Sequence, residues 1–135
     1  MKVHEVARTS GVPDHVVRYY TRIGLLKPSR SPRNGYKQYK DSDVSRLSFI
    51  RQAKSLGFTL GEITRIFHEA TRRNSPCPMV RKIMAGRIEE NGSRLNELVA
   101  LQKRMERALG EWSKLPDGVP DGQTVCYLIE SASHV

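Results

Sequence analysis

GVPDHVVRYYTRIGLL, residues 11–26, is the stretch whose reading decides the fold. Pro13 suits the first turn of a helix, where its missing N–H has no intrahelical partner to lose. Asp14-His15-Val16-Val17-Arg18-Tyr19-Tyr20-Thr21 continues that helix, and Gly24 ends it. Just upstream, Val3, Val6 and Ala7 form a short helical stripe over residues 2–9, with Ser10-Gly11 as its stop. Two short helices joined by a tight glycine turn outline a helix-turn-helix, whose second helix normally enters the major groove of DNA.

Downstream the chain changes character. From Leu25-Leu26-Lys27-Pro28 to Gln38-Tyr39-Lys40, two prolines, Pro28 and Pro32, exclude a helix, and Asn34-Gly35 is a turn pair that tolerates positive φ. A small β-hairpin wing is expected. Its tip and flanks interleave Arg30, Arg33, Lys37 and Lys40 with Tyr36 and Tyr39. Cations in such a pattern neutralise phosphates and release counterions, while phenol hydroxyls donate to phosphate oxygens. A third helix begins at the capping residues Asp41-Ser42-Asp43, with Val44, Leu47, Ile50 and Ala53 on one face, Phe49 and Leu56 close to it, and Gly57 at its end. Thr59 and Glu62 then have the spacing of a capping box for a fourth helix that runs through Ile66 and Phe67.

After Asn74-Ser75-Pro76-Cys77-Pro78 comes a long helical segment, Met79 to about Trp112, on the order of 50 Å at 1.5 Å per residue. Met84, Ile88, Asn91, Leu95, Leu98, Gln102, Met105, Leu109 and Trp112 alternate steps of four and three along it, the pattern of a heptad seam. The sequence holds no second long amphipathic helix to cover that seam, so a second copy of the chain is the simplest partner, with Asn91 and Gln102 as polar positions that fix register. Beyond it, residues 114–123 carry two Pro and two Gly and read as a loop, followed by the apolar Val125-Cys126-Tyr127-Leu128-Ile129.

Charge divides along the same line. Residues 1–75 hold 15 Lys and Arg against 6 Asp and Glu, whereas residues 76–135 hold 8 and 8, so the whole net charge of +9 sits in the first half. One half is built to lie against a polyanion and the other has a different task. No apolar run approaches the roughly 20 residues a membrane span needs, and the N-terminal residues lack the apolar stretch of a secretory signal, so a cytoplasmic location with no membrane partner is expected. No motif brings a nucleophile, a base and an oxyanion donor together, which argues against an enzyme.

Three blocks in order, Val16-Val17-Arg18-Tyr19-Tyr20 through Gly24-Leu25-Leu26, Asn34-Gly35-Tyr36-Lys37-Gln38-Tyr39, and Leu56-Gly57-Phe58-Thr59-Leu60-Gly61-Glu62-Ile63, resemble the MerR family of transcriptional regulators. That resemblance implies a mainly α fold with a winged helix-turn-helix DNA-binding domain at 1–75, a long antiparallel coiled-coil dimerisation helix at 76–113, and a short effector-binding loop and tail at 114–135. It implies a homodimer on an inverted-repeat promoter in double-stranded DNA, which bends and underwinds that DNA to realign the promoter for RNA polymerase; such distortion can cost several kcal/mol. By the same resemblance Arg18, Tyr20, Tyr36 and Lys37 match phosphate contacts, and His15 and Val16 fall where base edges are read. Tyr19, Arg33 and Tyr39 complete the expected DNA-binding set. Position 37 is usually Arg in the family, and Lys keeps the charge but loses the planar fork. Pro13 stands where a capping Ser or Thr is usual.

The two cysteines, Cys77 and Cys126, match the first and last metal-ligand positions of the metal-sensing members; the middle cysteine is absent, its neighbourhood being Trp112-Ser113. Two thiolates from opposite subunits can hold a linear thiophilic ion such as Hg²⁺ or Cu⁺. Zinc requires about four ligands, with Asp117, Asp121 or His134 supplying the rest. Hg, Cu, Zn, Cd and Pb are the candidate effectors. The same thiols also fit a redox or electrophile sensor, or apolar filling. A small-molecule regulator using Trp112 and the terminal loop, and an effector-free architectural DNA-binding protein, are the further alternatives.

Overall fold

Val6, Val17, Leu25, Leu26, Leu47, Ile50 and Ile63 are the largest fully buried side chains, and all lie in the first half of the chain. The computed structural model, which describes residues 1–132, places Leu25 and Leu26 in the bend after the second of four short helices and the other five within those helices. These are α1 (Val3–Ser10), α2 (Asp14–Arg22), α3 (Asp41–Ser55) and α4 (Leu60–Thr71), with β1 (Ser29–Arg30) and β2 (Lys37–Gln38) between α2 and α3. A long α5 (Cys77–Trp112) and a short α6 (Tyr127–Glu130) follow. The mainly α, winged architecture read from the sequence is the one observed.

Helix boundaries follow local chemistry. Gly11, after α1, adopts φ +69°, and Gly57, after α3, adopts φ +93°, a region that L side chains rarely enter. Thr59 caps α4 as expected: its Oγ1 accepts from Glu62 N at 3.1 Å while Glu62 Oε1 accepts from Thr59 N at 2.8 Å. At α3 the cap lies one residue earlier than the sequence suggested. Lys40 is the N-cap, and the Asp43 carboxylate accepts its N–H at 2.9 Å.

The apolar stripe of α3 falls on the expected face, with Val44 half-buried at its start. Leu47, Ile50 and Ala53 are buried, whereas Phe49, beside that face, and Leu56, the C-cap residue, are exposed. Phe49 instead meets Phe67 of α4 with ring centroids 5.3 Å apart, and the Arg46 guanidinium covers the Phe67 ring at 4.1 Å. Arg51 ties α3 to the end of α1 by donating to Ser10 O at 2.7 Å.

The first compact unit is Met1–Arg81, and a second begins at Lys82. It runs past residue 75 because the opening turn of α5 shares its apolar surface. Pro76, Cys77 and Val80 line a 430 Å³ groove with Phe49, Leu56 and Phe58. In the second unit the heptad positions Ile88, Leu95, Leu98, Met105 and Leu109 are 56–65% exposed. Gly86, Gly92 and Gly110 lie within α5, and an added Cβ at any of them would meet no atom within 4 Å.

Candidate nucleic-acid interface and effector region

Helix α2 turns Val17 and Tyr20 into the core, three residues apart on one face. The opposite face therefore presents His15, Arg18 and Tyr19, with Val16 half-buried at its edge. Arg18 pairs with Asp14 one turn earlier, at 3.9 Å, and both side chains are exposed, so this pair contributes little to stability. Tyr19 is 41% exposed and lies 5.4 Å from the Arg22 guanidinium carbon.

The wing is a short antiparallel pair with Ser29 opposite Gln38 and Arg30 opposite Lys37. Its tip is closed by Gly35 at φ +71°, by Ser31 N donating to Tyr36 O at 2.8 Å and by Tyr36 N donating to Asn34 Oδ1 at 3.0 Å. Strand alternation and the turn leave Arg33, Tyr36 and Lys37 exposed. Two expected contact residues are placed otherwise. Tyr39 is 3% exposed and Tyr20 is 7% exposed, so both rings belong to the core. Thr21 Oγ1 donates to Val17 O at 2.8 Å and has one proton, so in its 2.7 Å contact with the Tyr39 hydroxyl the tyrosine is the donor. Tyr39 thus fastens the wing to α2, and it also lines the cleft that opens beside the wing.

A cleft of 540 Å³ opens beside the wing, and Arg18, Tyr36 and Lys37 line it together, as a shared phosphate-binding surface requires. Lys2, His4 and Arg30 line it as well. Arg30 carries a visible signal, being a wing cation. Lys2 and His4 have none, because the start of α1 reaches the cleft through backbone pairing with residue 39, which no local pattern encodes.

The two cysteines occupy different surroundings. Cys77 is exposed at the start of α5, its N–H donating to Ser75 Oγ at 3.3 Å. Cys126 is half-buried, precedes α6 and lines a 620 Å³ cavity with Asp117, Asp121 and Tyr127. Asp121 Oδ1 accepts the N–H groups of Gln123 and Thr124 at 2.7 and 2.8 Å, which hold its carboxyl below the usual aspartate value. The Tyr127 hydroxyl donates to Pro116 O, and its ring lies so close to Gly118 that a Cβ there would sit 2.5 Å from it. Among the described residues no group of three or more His, Cys, Asp and Glu is placed to hold a metal ion. The four-ligand zinc arrangement with Asp117 and Asp121 is therefore not assembled within one chain, and His134 lies outside the described residues. No helix is long and apolar enough to cross a membrane, again among the described residues.

A helix-turn-helix whose second helix shows an unburied basic face, flanked by a basic hairpin, defines a winged helix-turn-helix DNA-binding protein. Residues 1–70 match the MerR HTH family regulatory protein family and residues 44–108 match the family described as MerR, DNA binding. The chain belongs to the MerR family, and is a DNA-binding transcriptional regulator. The mercuric resistance operon regulatory protein of Bacillus cereus is 30% identical over 132 residues, covering 96% of this chain and 95% of that one. A transcription regulator of Ralstonia metallidurans CH34, solved in complex with lead(II), superposes with a TM-score of 0.77 over 98% of this chain and 99% of its own, at 21% identity, a likeness of fold. The MerR regulator of Bacillus megaterium MB1, solved with mercury(II), matches at 29% identity and TM-score 0.55, covering 97% of this chain and 98% of its own. These relatives are regulators and not enzymes, which fits the lack of a catalytic motif.

Proposed function

We propose that the protein is a homodimeric, metal-responsive regulator that binds an inverted-repeat promoter in double-stranded DNA and distorts it for RNA polymerase. The observation that carries the DNA-binding face is the outward side of α2 joining the wing in one basic cleft, with Arg18, Tyr36 and Lys37 in its lining. His15 and Val16 reach base edges, Arg18, Tyr19, Arg33, Tyr36 and Lys37 grip the backbone, and Tyr20 and Tyr39 hold these groups in place. Pairing through α5 is supported by its row of exposed heptad residues, which a second copy packed antiparallel covers. The effector site joins Cys77 of one copy to Cys126 of the other, a two-thiolate set suited to Hg²⁺ or Cu⁺, with Cd²⁺, Pb²⁺ and Zn²⁺ needing further donors. The mercury- and lead-bound relatives support a metal of this class.

A second reading, a thiol sensor for apolar electrophiles, is favoured by the exposed Cys77 at the rim of an apolar groove. The test is anaerobic titration of the reduced protein with each ion, following thiolate-to-metal absorption, beside sedimentation of the protein and binding to DNA selected from a randomised library. One ion bound per cysteine pair and lost in Cys126→Ser supports the metal sensor. No metal uptake, with Cys77 alkylation changing promoter output, supports the electrophile reading. A monomer, or a protein without DNA affinity, refutes both.

A further inference from the structure

The cleft beside the wing holds more cations than the expected DNA contacts supply. Lys2, Arg18, Arg30 and Lys37 all line it, from three separate stretches of chain, and no carboxylate is among the lining residues. Lys2 is brought there by the backbone. Tyr39 N donates to Met1 O at 2.7 Å and the Met1 amino group donates to Tyr39 O at 2.9 Å, which lays the first residue along the strand that carries Lys37. Lys2 Nζ then stands 5.6 Å from the centre of the Tyr36 ring. Glu5, the nearest acid in sequence, is turned to the Lys2 backbone N–H at 3.4 Å. Arg30 faces Lys37 across the wing and donates from one nitrogen to Gly35 O at 3.1 Å, leaving the rest of its fork for another acceptor.

Of the four, among the described residues, only Arg18 is ion-paired, with Asp14 at 3.9 Å; like charges gathered in one cleft repel one another, and an anion seated among them reverses that term. A phosphate has the charge and the acceptor oxygens for a point cation and a fork together. We propose that Lys2 and Arg30 join Arg18 and Lys37 in holding adjacent backbone phosphates of bound DNA, each cation neutralising its own, which makes the start of α1 a third element of the grip. This rests on the DNA-binding reading above.

The salt dependence of binding tests it, with the full-length dimer and a fluorescein-labelled duplex recovered by selection from a randomised library, read by anisotropy. Lys2→Met and Arg30→Gln should each flatten the slope of log K against log salt by about 0.9 per protomer, so that a roughly fourfold rise in salt costs the intact dimer about tenfold more affinity than the variant. Lys2→Arg and Arg30→Lys, which keep the charge, should keep the slope. Unchanged slopes in Lys2→Met and Arg30→Gln, beside a flattened slope in Arg18→Ala, overturn the proposal and leave the DNA-binding reading standing. Weaker binding at an unchanged slope also overturns it, since that is a structural effect. An intact protein without salt-dependent binding overturns both.

Discussion

Tyr39→Phe separates a residue that supports the DNA-binding surface from one that forms it. The substitution keeps the buried ring and removes one proton, the one that the hydroxyl donates to Thr21 Oγ1 at 2.7 Å. Thr21 is half-buried and retains its own bond to Val17 O, so no group is left stranded away from water. The loss is therefore that of an ordinary neutral hydrogen bond, about 1 kcal/mol, well below the roughly 3–5 kcal/mol expected for deleting a buried aromatic ring. Thr21→Val removes the other partner. If the contact is what joins wing to helix, the double variant is little worse than either single one, and a double-mutant cycle returns a coupling of about 1 kcal/mol. Urea unfolding followed by circular dichroism, at one fixed protein concentration so that any contribution of pairing is constant, measures all four proteins. Strict additivity, with coupling under about 0.3 kcal/mol, refutes the fastening role. The salt slope of DNA binding should be the same in Tyr39→Phe as in the intact protein; a flatter slope means that the hydroxyl reaches phosphate after all.

Three further outcomes follow from single features. Leu47 is fully buried in α3, and Leu47→Ala should destabilise by about 2–5 kcal/mol in the same urea assay, with a loss under about 1 kcal/mol contradicting its place in the core. Gly118→Ala puts a Cβ 2.5 Å from the Tyr127 ring, which must move; effector response should fall while effector-free DNA binding persists, and an unaltered response shows that this packing is irrelevant to the site. Asp121 has its pKa depressed by the Gln123 and Thr124 N–H bonds. Its turn is accordingly at full strength above the ordinary aspartate value and weakens as pH falls through the lowered one. The two amide resonances should hold until the solution is more acidic than ordinary aspartate titration, and movement at or above that value counts against these bonds.

Sequence sufficed wherever the signal was local. The Thr59/Glu62 capping box, the Asn34-Gly35 turn and the glycines after α1 and α3 each act within a few residues, and each is found as read. It failed where distance in sequence mattered. Tyr39 sits one residue beyond a two-residue strand, too short to show which face alternation assigns, and its burial is set by Thr21 and Met1. Lys2 enters the cleft through the same pairing. Phe49 lies beside a helical stripe and Leu56 at the C-cap, where the stripe does not decide exposure. Helix α6 is four residues long and cannot display a period. The cysteines were legible as residues but not as a site, because the described residues of one chain do not bring three or more donors together.

The three glycines inside α5 bear on how long any pairing lasts. Each lowers helix stability by about 1 kcal/mol relative to alanine, and among the described residues of one chain no atom lies within 4 Å of where its Cβ would be. A lone α5 is consequently a weak helix, and on the paired reading its winding and its partnership arise together. Copies that separate lose part of the element that would hold them poised to rejoin. On that same reading, the residence time of a pair, and with it the rate at which an effector-loaded copy is exchanged for a fresh one, depends on these backbone positions as well as on the thiol chemistry.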